Sequence, residues 1–258
     1  MDILLYILAG AGVGLAVGLT GVGGGSLMTP LLLLFGFPTH IAIGTDLMYA
    51  AITKASGVYA HHRQGTVDWK VVSRLAAGSI PASIGTVIVL SFFFTHPEEY
   101  KTLLLSTLGV MLMLTSTVLI LRQRLQRYHR ESATHPAPHR YQTSLTVIAG
   151  FFLGACVTLS SVGAGAFGAA ILLILYPALS SVRVIGSDLA HAVPLTLIAG
   201  LGHVHLGNVD FMLLGSLLIG SIPAIHLGTR LAKRVPDRVL QSGLASILLV
   251  IGVKYAFF

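Results

Sequence analysis

Two aspartates lie inside strongly apolar sequence, each behind a glycine and a hydroxyl residue. They occur as Gly44-Thr45-Asp46-Leu47 and, 142 positions later, Gly186-Ser187-Asp188-Leu189. An ionised carboxylate at membrane depth costs about 3 kcal/mol on insertion scales, so such a group has a partner or a task. One task is carrying a proton, because burial moves a carboxyl group into a range where it can titrate. The other is holding the N–H groups at the start of a helix, as a cap does. His191 stands one turn beyond Asp188, within hydrogen-bond reach on a helix, and supplies a second titrating group. Lys54 lies two turns beyond Asp46, too far for direct contact along a straight helix, and Thr196 occupies its position in the second copy. A lysine there either attracts an anion shared by both copies or snorkels toward the membrane edge.

Glycine-rich breaks precede both aspartates. The first is Thr20-Gly21-Val22-Gly23-Gly24-Gly25-Ser26, and the second is Ser160-Ser161-Val162-Gly163-Ala164-Gly165. Glycine lets backbone turn and approach a ligand, and a helix that begins after such a break presents free N–H groups to an anion. Close helix packing is the competing use of glycine. The candidate anion-binding residues are therefore Thr20, Gly21, Gly23, Gly24, Gly25, Ser26, Thr45, Lys54, Ser160, Ser161, Gly163, Gly165 and Ser187. The candidate proton-coupling residues are Asp46, Asp188 and His191. His61 and His203, also repeat partners, read as interfacial side chains. No metal-ligand spacing appears, a single cysteine, Cys156, excludes a cysteine cluster, and no cofactor motif is present.

The elements that position these residues follow from composition. The chain is 54% hydrophobic and 10% charged, against about a quarter charged in soluble domains, with a mean hydropathy of +0.85. It reads as an all-α polytopic membrane protein. Apolar segments fall at 3–20, 22–38, 41–60, 71–94, 101–121, 143–160, 162–178, 183–202, 211–229 and 238–257. Segments 22–38 and 162–178 are short and follow the glycine breaks, so they read as broken or re-entrant helices. Met1 to Gly10 lacks the basic start of a secretory signal and reads as part of the first helix. Strands alternating at period two are absent, which argues against a β-barrel.

The same 142-residue offset pairs Gly65 with Gly207, Asp68 with Asp210, and Gly78-Ser79-Ile80-Pro81-Ala82 with Gly220-Ser221-Ile222-Pro223-Ala224. The chain thus reads as a repeat at 1–121, an Arg-rich linker at 122–142 and a repeat at 143–258. Basic residues concentrate at Arg122 to Arg140, at Arg230 to Arg238, and at Arg63, Lys70 and Arg74, whereas 203–210 has no Lys or Arg and 95–100 has Glu98 and Glu99. Five crossings per half put all three basic clusters inside, and four do not. The expected fold is therefore two inverted five-segment repeats. The same rule accounts for the net charge of +7 without nucleic acid.

Order, spacing and duplication of these blocks resemble the TauE/SafE, or sulfite exporter, family. The resemblance rests on Gly12 to Pro30 with its Gly21-Val22-Gly23-Gly24-Gly25 core, Gly36, Gly44-Thr45-Asp46-Leu47, Gly65, Gly78 to Gly85, and the copies at 186–189 and 220–223. Ala164 and Ala166 replace Val22 and Gly24 in the second break. The resemblance implies a secondary transporter, in the cytoplasmic (inner) membrane, that moves sulfite or a related organosulfonate. A proton-coupled cycle and a passive anion channel both remain open, as does self-association into a homo-oligomer. The expected partners are the anion and the bilayer. An intramembrane hydrolase is a distant alternative: the Gly-Xaa-Gly-Asp pattern of intramembrane aspartyl proteases is missing, with Ile43 and Thr45, and Ile185 and Ser187, where it needs glycine, as are zinc-protease and serine-hydrolase motifs. The chain is thus not expected to be an enzyme.

Overall fold

The structure, a computed structural model, describes residues 3–20, 27–94, 96–132, 141–231 and 237–257, without the side chains of residues 20, 130–132 and 237–240. The described residues form ten α-helices: α1 Ile3–Thr20, α2 Met28–Leu34, α3 Thr39–Arg63, α4 Trp69–Phe93, α5 Lys101–Ser132, α6 Gln142–Ser160, α7 Ala166–Leu175, α8 Ser181–His205, α9 Phe211–Leu231 and α10 Asp237–Phe257. A 3-10 turn, Pro97–Tyr100, leads into α5. No strand occurs among the described residues. Five stretches are long and apolar enough to cross a bilayer, at Trp69–Phe93, Pro97–His129, Gln142–Ser160, Ser181–His205 and Phe211–Leu231. The two short segments form the shortest helices, α2 and α7, of 7 and 10 residues.

Repeated residues build repeated joints. Gly65 and Gly207 take positive φ (66° and 74°) just past the ends of α3 and α8. There the Thr66 and Asn208 N–H groups reach back to the His61 and His203 carbonyls at 3.1 and 2.8 Å. This is a Schellman stop, which favours glycine at the left-handed residue. Asp68 then accepts from the Lys70 and Val71 N–H groups at 3.1 and 3.3 Å. Asp210 accepts from Met212 and Leu213, both at 2.9 Å. Both aspartates are N-caps that start the next helix.

Helix directions follow from the close glycine approaches. A Cβ on Gly10, Gly14 or Gly18 of α1 would strike the backbone at Leu217, Ser221 and Ile225 of α9, in rising order on both helices. The pair is therefore parallel, packed through small residues. In α6, Gly150 and Gly154 sit against Leu75 and Ser79 of α4, again parallel. In contrast, Gly44 meets His203, Gly57 meets Leu189 and Gly186 meets His61, so α3 and α8 are antiparallel. Gly109 lies against Ala256, and Gly252 against Met113, so α5 and α10 are antiparallel as well. Each half thus lends a helix to the other: α1 packs on α9, and α6 on α4.

One boundary departs from the sequence reading. The expected linker begins at Arg122, but α5 continues to Ser132, and residues 133–140 lie outside the described set. The run Leu121 to Ser132 has no Gly or Pro, so nothing local stops the helix before it leaves the apolar stretch.

Candidate functional site

Asp46 sits two turns into α3 and is completely buried. Its Oδ2 accepts from the Thr29 hydroxyl at 2.5 Å and from the Thr29 backbone N–H at 3.2 Å. Thr29 belongs to the first turn of α2, so Asp46 holds the open N–H end of the short helix, a cap supplied from a neighbouring element. The other oxygen, Oδ1, has no hydrogen-bond partner. The Ser161 hydroxyl of the second half is its polar neighbour, itself buried and without a partner.

Asp188 occupies the matching place in α8. Its Oδ1 lies against the first turn of α7, where a Cβ on Gly168 would collide with it. This oxygen also lacks a hydrogen-bond partner, and Asp188 is 3% exposed. The expected bond to His191 does not form. The His191 Nε2 pairs instead with the Ser79 hydroxyl of α4 at 2.7 Å, and its Nδ1 is buried without a partner. One turn of helix aims His191 at α4 while Asp188 faces α7, so proximity along the chain does not become contact.

Lys54 does not snorkel. It is 6% exposed and donates from Nζ to the Ala164 carbonyl, 2.9 Å away, in the glycine break of the other half. That break can receive it because Gly163 and Gly165 adopt φ of 121° and 139°, values that side-chain-bearing residues rarely take. Asp188 first, then Asp46, are the carboxylates whose charges act on Lys54. Along α3, eight residues separate Asp46 from Lys54, about 12 Å of rise. Among the described residues, the hydrogen bond of the ammonium goes to a carbonyl rather than to either acid.

Other candidates are placed elsewhere. The Thr45 hydroxyl accepts from the Asp210 N–H at 3.1 Å, and the Ser187 hydroxyl from the Asp68 N–H at 2.8 Å. Both are fully buried and bolt each half to the capped joint of the other. Successive helical residues project about 100° apart, which turns Thr45 and Ser187 away from the faces of Asp46 and Asp188. Ser160 locks its own turn, donating to the Cys156 carbonyl at 2.6 Å and accepting from the Val162 N–H at 3.2 Å. His203 is no interfacial residue: it is fully buried, facing the Thr158 carbonyl at 2.9 Å and the Asn208 amide at 3.2 Å. His61 is partly buried and pairs with the Thr66 hydroxyl at 2.8 Å. Gly21, Gly23, Gly24, Gly25 and Ser26 lie outside the described residues, as does the side chain of Thr20.

Sequence reasoning missed several polar neighbours. Tyr49 stands one turn beyond Asp46, with Ser221 and Asp46 as its polar neighbours. Tyr49 and Ser221 are the repeat equivalents of His191 and Ser79, and the reappearance of both serines within the Gly-Ser-Ile-Pro block was the available signal. Arg122, read as a linker charge, instead lines a cavity of about 90 Å³ together with His61, Gln126, Gly165 and Asp188.

A polytopic helical protein that draws two carboxylates and a lysine together at depth, beside the broken helices of both halves, has the features of a membrane transporter. Residues 6–255 match the family model for the sulfite exporter TauE/SafE, and the chain belongs to that family. It is 40% identical to the probable membrane transporter protein YjnA of Bacillus subtilis (strain 168), over 96% of this chain and 97% of the relative. It is 38% identical to YunE of the same organism, over 100% and 98%. It is 27% identical to YdhB of that organism, over 98% and 100%. Both are also described as probable membrane transporter proteins. No solved structure matches the chain. The protein is a multi-pass membrane transporter.

Proposed function

We propose that this transporter moves a small sulfur-containing anion, sulfite or an organosulfonate, across the cytoplasmic membrane, and that the anion passes between the two halves beside Lys54. The observation that carries the reading is Lys54 itself: a buried ammonium from one half bonded to a loop carbonyl of the other, within the electrostatic reach of Asp188 and Asp46. A carbonyl is a weak partner for a buried cation, and an arriving anion is a stronger one. One lysine and the ends of short helices attract an oxyanion without trapping it, as transport requires. The family description supplies the sulfur chemistry.

Inverted repeats are part of the same proposal. The repeat partners α3 and α8 pack antiparallel, as do α5 and α10, which is the relation expected of halves turned over in the membrane. The ends of α3 and α9 that carry Arg63 and Arg230 then face the cytoplasm. Exchange of radiolabelled sulfite and of isethionate into liposomes, with and without a pH gradient, tests the reading. Anion uptake accelerated by the gradient and lost in Lys54→Gln is the expected result. Uptake that ignores both gradient and Lys54 would mark a passive pore, and no uptake over a panel of sulfur anions would refute the substrate class.

A further inference from the structure

The cavity adjoins the Lys54 cluster through Asp188, which lines it. It is lined by His61 of α3, Leu119, Arg122 and Gln126 of α5, Gly165, Ala169 and Leu173 at α7, and Asp188 of α8. Most of this wall is apolar, so charges inside it are weakly screened and act strongly on one another. Two charge-bearing side chains on the wall matter most for an anion: the Arg122 guanidinium, whose five donors can serve more than one acceptor, and the Asp188 carboxyl. An ionised Asp188 repels an anion placed beside Arg122. A protonated Asp188 does not, and its O–H can donate to the anion. Oδ1 is buried and has no hydrogen-bond partner, so a proton placed there displaces no existing bond.

We propose that this cavity is a docking place for a sulfonate or similar tetrahedral oxyanion, gripped by Arg122, and that the anion and a proton on Asp188 occupy it together. The inference rests on the anion-transport reading and assigns it a stoichiometry: one negative charge and one proton enter from water, so the occupied cavity gains no net charge. Other titratable or charged groups surround Asp188. They are Lys54 and His61 on α3, Arg122 on α5, His191 and Arg183 on α8, and Asp68 on α4, the last paired with Arg183 at 3.4 Å. Helices α6 and α7 bring no charged side chain. Two of these groups are histidines, which can also take up a proton, so the test must separate them from Asp188.

The test is equilibrium binding of methanesulfonate to the full chain in detergent, since this anion keeps one charge at any working pH. Linkage requires that the affinity fall by up to about tenfold per pH unit where the coupled proton is lost. Toward the alkaline end of that range, where Asp188 is ionised before the anion arrives, an unbuffered sample carrying a pH dye should show about one proton taken up per anion bound. Asp188→Asn should bind without pH dependence, Arg122→Gln should bind about tenfold or more weakly at every pH, and His191→Gln and His61→Gln should keep the pH slope. Pairing in the unmodified protein without proton uptake would overturn the inference, as would a pH slope that survives in Asp188→Asn or moves with either histidine. Unchanged binding by Arg122→Gln would remove the cavity. Proton uptake needs no variant, so it decides the matter even if Asp188→Asn fails to fold. Binding without linkage would leave the anion reading standing, whereas no sulfonate binding at all would bring down both.

Discussion

Replacing Thr29 by valine asks what Asp46 does. Valine keeps the shape of threonine and the backbone N–H but removes the hydroxyl that reaches Oδ2 at 2.5 Å. What remains is the longer 3.2 Å bond from the Thr29 N–H, on a carboxylate that is completely buried. Hydrogen bonds to charged groups in soluble proteins contribute about 1.5–3 kcal/mol, while interhelical polar bonds in a membrane protein average about 0.6 kcal/mol and reach about 1.7. The short distance, full burial and lack of a substitute partner favour the upper end of the membrane range. A loss of about 1.5 kcal/mol is therefore expected, read by reversible unfolding in mixed micelles. Transport and its pH dependence should persist, because the helix-holding role does not require Asp46 to exchange protons. Asp46→Asn should cost less than Thr29→Val: its amide oxygen can accept from Thr29 while its NH₂ faces the unpartnered Ser161 hydroxyl. A Thr29→Val protein as stable as the parent, within about 0.5 kcal/mol, would refute the cap. A shifted pH profile in that variant would show instead that Asp46 titrates during the cycle.

Glycines at the crossings give a graded series. Gly44→Ala and Gly186→Ala would drive a methyl group into the Asn208 and Thr66 carbonyls, costing about 1–3 kcal/mol, whereas Gly85→Ala and Gly215→Ala meet nothing within 4 Å and should be neutral or stabilised by up to about 1 kcal/mol; micelle unfolding distinguishes them. Cysteines at Gln64 and His205, both exposed, should label from opposite sides of the membrane in a Cys156→Ala background, and labelling from one side would end the inverted arrangement. Lys54→Gln should weaken apparent anion affinity in liposome exchange far more than Lys254→Gln, whose lysine is exposed near the end of α10, and equal effects would return Lys54 to a packing role. His129 faces the Leu173 and Leu179 carbonyls at 2.8 and 2.7 Å through its two ring nitrogens, tying α5 to the end of α7 and the turn after it. His129→Phe should release the end of α7, seen as faster amide exchange over 166–180, and unchanged exchange would dismiss the anchor.

The framework was legible because duplicated Gly, Asp and Pro residues specify backbone, and backbone rules are local. Gly65 with Gly207, and Asp68 with Asp210, stood out as repeat partners, and the structure uses each glycine as a helix stop and each aspartate as a helix start. The glycine breaks likewise announced α2 and α7. Side-chain partners were not legible, because they depend on which helix faces which. The expected pairing of His191 with Asp188 assumed that neighbours on one helix seek each other, yet α4 offers Ser79 to His191 while Asp188 faces α7. Arg122 was hidden for a similar reason: its neighbours in sequence are the charges of a linker, but its neighbours in space are Gly165 and Asp188.

Symmetry and its failures together bear on the proposed anion site. Where the two halves meet through matched residues, the contacts are matched as well. Thr45 holds Asp210 as Ser187 holds Asp68, and these bolts resist change equally in both halves. The symmetry fails at Lys54 against Thr196 and at Tyr49 against His191, all on the facing pair α3 and α8. Thr196 turns its hydroxyl back to the Ala192 carbonyl at 2.9 Å and reaches nothing across the interface, whereas Lys54 crosses to Ala164. A binding site built twice would hold two anions in equivalent places. On the proposed function, a single cation placed beside the meeting line of two near-equivalent halves would give one site that either half could uncover, the geometry alternating access needs. Installing a second lysine by Thr196→Lys tests this directly. It should tighten anion binding while slowing exchange, because an anion held by two cations leaves less readily. Faster exchange at unchanged affinity would show that the asymmetry has no part in release.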